Sequence, residues 1–313
     1  MSAAGAPPAT PTAYLATDLE AWQARWDEAG RSGGSWRTLA DLLQHDGATL
    51  RSAHASLVEA GEPPAAAAKY LVGWVGGLLA GAVAHGYALT GAGFLPGPAT
   101  AFRVQPGGWP DRVDLGTADV VVPHGHPWAG VAGVRTLGPE PGCPDRDPVA
   151  DPVADAVVAG LREVLTPLID RVRTLAKVGP VALWAEVADG LATAVANQPE
   201  VPATLAAVAA VERLTHAAAA PWRKRPALWV GSCAHGPTVI GQKGGCCLAY
   251  TRPEVDLDLA AYPEAHRRFY TRFPPGSPRY CGNCSFREPA DVEAREVFWI
   301  EERLGRPEPP EPA

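Results

Sequence analysis

The stretch YLVGWVGGLLAGAVAHGYALTGAGF, Tyr70 to Phe94, decides how the rest of the chain is read. It is apolar throughout, and His85 is its only group that titrates near neutral pH. Gly73, Gly77 and Gly81 recur at four-residue spacing, a small-residue stripe that lets two helices come close in a bilayer or in a protein core. The uninterrupted apolar run, Leu71 to Ala84, is shorter than the roughly 20 residues that a bilayer requires. The stretch therefore predicts a buried core helix and no transmembrane span, leaving only peripheral contact with a membrane open.

Outward from this helix the pattern is mainly helical. Leu15, Leu19, Trp22 and Trp26 predict a helix over 14–29, and 39–60 reads as one or two more. The period shortens at Phe102-Arg-Val104, Val113-Asp-Leu115 and Ala118 to Val122, which predicts a β-hairpin or small meander. A Gly- and Pro-rich loop, 123–147, follows. The repeat Asp147-Pro-Val-Ala-Asp-Pro-Val-Ala-Asp155 then reads as a helix entrance, because Asp caps free amides and Pro fits a first turn. Helices are expected over 156–177, 181–196 and 201–220, a strand at Leu228-Trp-Val230, and a closing helix over 291–304 capped by Asp291. The expected fold class is α+β, mainly α-helical with a small antiparallel β-sheet and a C-terminal cysteine-ligated cluster region. The expected division is a tail at 1–13, a helical domain with the hairpin at 14–146, a helical domain at 147–225, a cluster-binding region at 226–305 and a tail at 306–313.

A formal net charge of −7 argues against a surface built to neutralise nucleic-acid phosphates. No basic region followed by an apolar run opens the chain, so a cytoplasmic, reducing location is expected. In that setting five of the six cysteines stand close together: Cys233, Cys246-Cys247 and Cys281-Gly-Asn-Cys284. Thiolates are the soft ligands of iron–sulfur clusters and zinc, and two pairs can complete one site. Gly244 and Gly245 let the chain bend beside an adjacent pair whose side chains would otherwise point to opposite faces. A structural zinc held by four cysteines is the alternative, though zinc sites draw on pairs spaced by two to four residues.

Lys243-Gly-Gly-Cys246-Cys247-Leu-Ala-Tyr250-Thr-Arg252, with Tyr280-Cys281-Gly-Asn-Cys284-Ser-Phe286, resembles the C-terminal signature of FhuF-type ferric siderophore reductases. Leu183-Trp-Ala-Glu-Val-Ala resembles a helix of that family. The resemblance implies a [2Fe-2S] cluster on Cys246, Cys247, Cys281 and Cys284, with Cys233 as a reserve ligand. It also implies one-electron reduction of Fe(III) in a siderophore chelate by an oxidoreductase served by an unidentified electron donor, in iron acquisition. The family connects its pairs through about ten residues, whereas 33 intervene here, a difference whose closure cost grows only logarithmically. Within that insertion Arg267, Arg268 and Arg272, together with Arg252, are candidates to meet an anionic chelate, or are the polar face of an amphipathic helix. Rival readings are a four-cysteine structural zinc module and an iron–sulfur sensor or relay with no siderophore. Gly236-Pro-Thr-Val-Ile-Gly241-Gln-Lys243 lacks the Gly-Lys-Ser/Thr that a phosphate loop needs.

Overall fold

The structure, a computed structural model, describes residues 10–24, 34–116, 118–138, 151–196, 198, 201–248 and 281–305. The glycine-striped stretch forms α3 (Pro64–Val72), a π-helical turn (Gly73–Gly77) and α4 (Leu78–Thr90) without a break in direction. Pro64 starts it, where a missing amide hydrogen costs nothing, and Gly91 ends it in the left-handed region at φ 76°. By length and composition, Pro64–Thr90 could cross a membrane, yet 78% of its most apolar window is buried within the protein. His85, wholly buried in it, shares a 2.7 Å hydrogen bond with the hydroxyl of Tyr14. Tyr14 belongs to α1 (Pro11–Ala24), the described part of the first expected helix.

Helices α5 (Pro152–Arg173), α6 (Pro180–Ala192) and α7 (Leu205–Thr215) pack around this axis. Asp151 caps α5 by accepting from Ala154 N at 2.9 Å, as the Asp-Pro repeat predicts. The stripe Val157, Leu161, Leu165, Leu168, Ile169 and Val172 is buried, each side chain contributing about 1.5–3 kcal/mol relative to exposure. Helix α2 (Leu39–Glu59) opens with a capping box between Thr38 and Asp41, and residues Gln44 to Gly47 leave helical geometry, dividing it in two.

The strands depart from a simple meander. β1 (Ser35–Thr38), β3 (Ala101–Val104) and β4 (Pro110–Asp114) form one antiparallel sheet, with β3 in the centre. β2 (Gly93–Leu95), β5 (Asp119–Pro123) and β6 (Val134–Leu137) form a second, in which β2 pairs antiparallel and β6 parallel to β5. β1, β2 and β6 carry too few alternating residues for a period to register, and β6 lies in the stretch expected to be loop. β7 (Ala227–Cys233) and β8 (Gly236–Gln242) form an antiparallel hairpin, so the segment that superficially resembles a phosphate loop is a strand. The closing helix, α8 (Pro289–Leu304), begins two residues early; Asp291 lies in its first turn, bonded to Arg287 and Arg295, instead of capping it.

The α+β class with small sheets is seen, but its final element is not. Among the described residues no group of three or more His, Cys, Asp or Glu side chains could hold a metal ion, so the C-terminal cysteine-ligated cluster is withdrawn from the fold.

Where α6 crosses the glycine stripe, the position that admits no side chain is on α6 itself. A Cβ on Gly190 of α6 would lie 2.5 Å from the carbonyl oxygen of Gly77 and 2.8 Å from its carbonyl carbon, backbone atoms that cannot swing away. Gly190→Ala should therefore cost about 1–3 kcal/mol in thermal or denaturant unfolding. Gly97→Ala, where nothing lies within 4 Å, should stay within about 0.5 kcal/mol of the parent. Equal stability of the two variants would contradict this packing.

Candidate functional site

A cavity of about 570 Å³ opens between the π-helical turn, α6 and the end of β8. Its volume suits a small organic ligand. Trp22, Tyr70, Trp74 and Trp109 supply the aromatic part of its wall, and Tyr70 and Trp74 stack with ring centroids 6.3 Å apart. Glycines 73, 77 and 190 supply wall that takes up no room.

Its polar edge comes from α6. Glu186 and Asp189 are three residues apart, close to one helical turn, so both face the same way. Glu186 pairs with Lys69 of α3 at 2.9 Å, each side chain at most 5% exposed. Lys69 also donates to the carbonyl of Ala182 at 2.6 Å. Glu186 lies 3.9 Å from Lys243, just past β8. Asp189 accepts from the amides of Gly244 at 2.8 Å and Gly245 at 3.3 Å. Burial, and next the charge of Glu186, push its carboxyl up to about 7, against the pull of Lys243 and the two amides. Burial alone would lower the Lys243 ammonium; Glu186, then Cys247, Cys281 and Asp189, hold it above its ordinary value. Lys243 thus belongs to the cavity and to the cysteines at once.

The chain between β8 and Cys247 is pinned on both sides. Lys243 N donates to the carbonyl of Asn283 at 2.9 Å, and Gln242 reaches the carbonyls of Cys284 and Arg287. A side chain on Gly244 would strike the backbone of Arg225, and one on Gly245 would press into Ala185. The two glycines are required for this close threading, a different reason from the bend inferred in the sequence. The bend comes one residue after the cysteine pair, at Leu248, whose φ is 64° and whose amide donates to Cys246 Sγ at 3.4 Å.

Cys247 and Cys281 bring their sulfurs to 3.8 Å, and the Cys281 thiol hydrogen-bonds Cys284 as well. Cys246 feels Cys247 and Cys284 electrostatically, and burial raises its thiol above the ordinary value. The bond from Cys281, foremost, with the Phe286 amide and Arg287, holds Cys284 below its usual range, while bonding to Cys247 and Cys284 raises Cys281. Cys233 stays in the β7–β8 turn, its thiol on the carbonyl of Gly236 at 3.3 Å. The sequence signal thus brought four cysteines to one corner, but in it Cys281 is satisfied by its neighbouring sulfurs.

No protein-family profile, no curated protein and no solved structure matches the chain. This, with the lack of a metal-holding group among the described residues, overturns the resemblance to FhuF-type reductases. The thiols present do not fit a [2Fe-2S] cluster, and with that cofactor go the ferric siderophore reductase activity, its role in iron acquisition and electron transfer, the four-cysteine zinc module and the iron–sulfur relay. Arg252, Arg267, Arg268 and Arg272 lie outside the described residues. Sequence reasoning missed Lys69, Glu186, Asp189 and the tryptophan wall; the available signal was a pair of carboxylates on an otherwise apolar helix, Leu183 to Ala192.

The folded chain keeps on Asp189 a proton that the unfolded chain releases near 3.8. This contribution to stability is complete below about pH 4 and is lost as pH rises to about 7. Asp189→Asn stays uncharged, so it should gain on the parent across that window, by at most about 1.4 kcal/mol per pH unit. Unfolding followed from pH 4 to 7 checks this; parallel curves for the two proteins would contradict it.

Proposed function

We propose that this chain is a small-molecule binding protein whose ligand occupies the cavity between the π-helical turn and α6. The observation that carries the reading is a buried charged edge facing an aromatic wall. Taking Lys69 and Glu186 from water costs several kcal/mol per ion before pairing repays it, and well-packed apolar residues serve stability as well or better. Charges retained at the edge of a cavity, beside a carboxyl displaced to about 7, therefore favour recognition as their role.

The lining defines the ligand class. Trp74, Tyr70 and Trp109 favour a flat, largely apolar body, which offset stacking holds by about 0.5–1.5 kcal/mol per ring beyond burial. Glu186 accepts, Lys243 donates, and Asp189 does either according to whether it holds its proton, so one edge of the ligand carries a hydroxyl or similar group able to do both.

The tryptophans report binding directly. Titration with 2-naphthol, followed by tryptophan fluorescence and calorimetry, should saturate at one site per chain. Trp74→Ala should weaken binding about tenfold, the loss expected for an aromatic anchor. Trp36→Ala, on an exposed ring that does not line the cavity, should leave it unchanged. Absence of saturation, or equal effects of the two substitutions, would refute the reading.

A further inference from the structure

No cysteine lines the cavity, yet two sulfurs of the cysteine corner already meet. Cys247 and Cys281 hold their Sγ atoms 3.8 Å apart, although 33 residues separate them in the chain. A disulfide sets its sulfurs about 2.05 Å apart, so bonding this pair asks for a shift of less than about 2 Å. The backbones that carry the two thiols are tied to each other as well. Lys243 N donates to the carbonyl of Asn283 at 2.9 Å, and Gln242 Nε2 donates to the carbonyl of Cys284 at 3.0 Å. Arg287 donates from Nε to the Cys281 carbonyl at 2.8 Å and from a terminal nitrogen to Asp291 of α8 at 2.6 Å. Cys281 is partly open to solvent, whereas Cys247 is 6% and Cys284 3% exposed. Cys246 accepts the Leu248 amide on its sulfur at 3.4 Å.

We propose that Cys247 and Cys281 form a reversible redox latch, a modification site at which glutathione disulfide links the two thiols. Cys281, the more open of the pair, meets the reagent first. Its sulfur attacks one sulfur of glutathione disulfide, that S–S bond breaks, and one reduced glutathione leaves with the Cys281 proton. The Cys247 sulfur then attacks the Cys281 sulfur of the mixed disulfide; the bond to glutathione breaks, and a second reduced glutathione leaves with the Cys247 proton. In sum, two protein thiols and one glutathione disulfide give one protein disulfide and two reduced glutathiones, the protein losing two electrons and two protons. The burial of Cys247 does not hinder the second step, because its target is already 3.8 Å away. The new bond lies beside the link from Lys243 to Asn283 and fastens residues 242–247 to the turn before α8. Lys243 and Asn283 both line the cavity, so oxidation fixes two parts of its edge against each other.

The test uses the full chain, reduced, brought to equilibrium with glutathione disulfide, alkylated and cut with trypsin. Cys246 and Cys247 fall in the peptide Gly244 to Arg267, since Arg252 precedes a proline, and Cys281 and Cys284 fall in Tyr280 to Arg287. The expected product is these two peptides cross-linked, lighter than their sum by two hydrogens, with fragment masses placing the bond on Cys247 and Cys281. Cys284→Ser should keep the cross-link and Cys281→Ser should lose it. The folded chain should form about tenfold more of it than the chain unfolded in guanidinium at the same glutathione ratio, because the fold supplies the effective concentration. Amide hydrogen exchange across residues 242–247 should slow about tenfold on oxidation. A disulfide within Tyr280 to Arg287, a glutathione adduct that goes no further, equal yields from folded and unfolded chain, or unchanged exchange would each overturn the proposal, and all four are read on the unaltered chain.

Discussion

The approach of Gly190 to Gly77 is the contact on which the site depends. The helices pass this closely because residue 190 carries no Cβ: the carbonyl of Gly77 occupies the space that a side chain there would need. With α6 held there, Glu186 comes within 2.9 Å of Lys69 on the same continuous helical axis. Asp189, on the next turn, is then placed to receive the amides of Gly244 and Gly245. Moving α6 outward by even a methyl group would loosen all of these contacts together, since packed interiors adjust little.

From this contact the connection runs to the cysteines through Lys243. Its ammonium lies 3.9 Å from Glu186 and within electrostatic reach of Cys247 and Cys281, and its amide is tied to Asn283. Asn283 lies between two cysteines and also lines the cavity. The cavity edge and the thiol corner are thus two faces of one short piece of backbone, residues 242–247, clamped between α6 and the turn before α8.

Much of the fold was legible because its helices repeat strongly. The stripe in α5 and the Asp-Pro entrance before it need only local information, and both are found. The long apolar stretch was read correctly as buried within the protein, and its glycine spacing pointed to close helix approach, though not to the partner. The edge strands were not legible: three or four residues such as Gly93–Leu95 are defined by their neighbours in the sheet and not by their own period. At the site, cysteine spacing identified which residues meet but suggested the wrong chemistry for them. Spacing says nothing of whether sulfurs satisfy one another, as Cys281 does with Cys247 and Cys284. The carboxylates of α6 were passed over because a single Glu or Asp in an apolar helix has no local sign of the lysine, 117 positions away in the case of Lys69 and Glu186, that makes its burial tolerable.

The central claim is that α6 and Lys243 form the polar edge of a ligand cavity with an aromatic wall. A crystal structure of the full chain grown with 2-naphthol tests it most directly. The account predicts the naphthalene ring against Trp74, with its hydroxyl within hydrogen-bond reach of Asp189, Glu186 or Lys243. A ring bound elsewhere, or an empty cavity at a concentration that saturates the chain in solution, would contradict it.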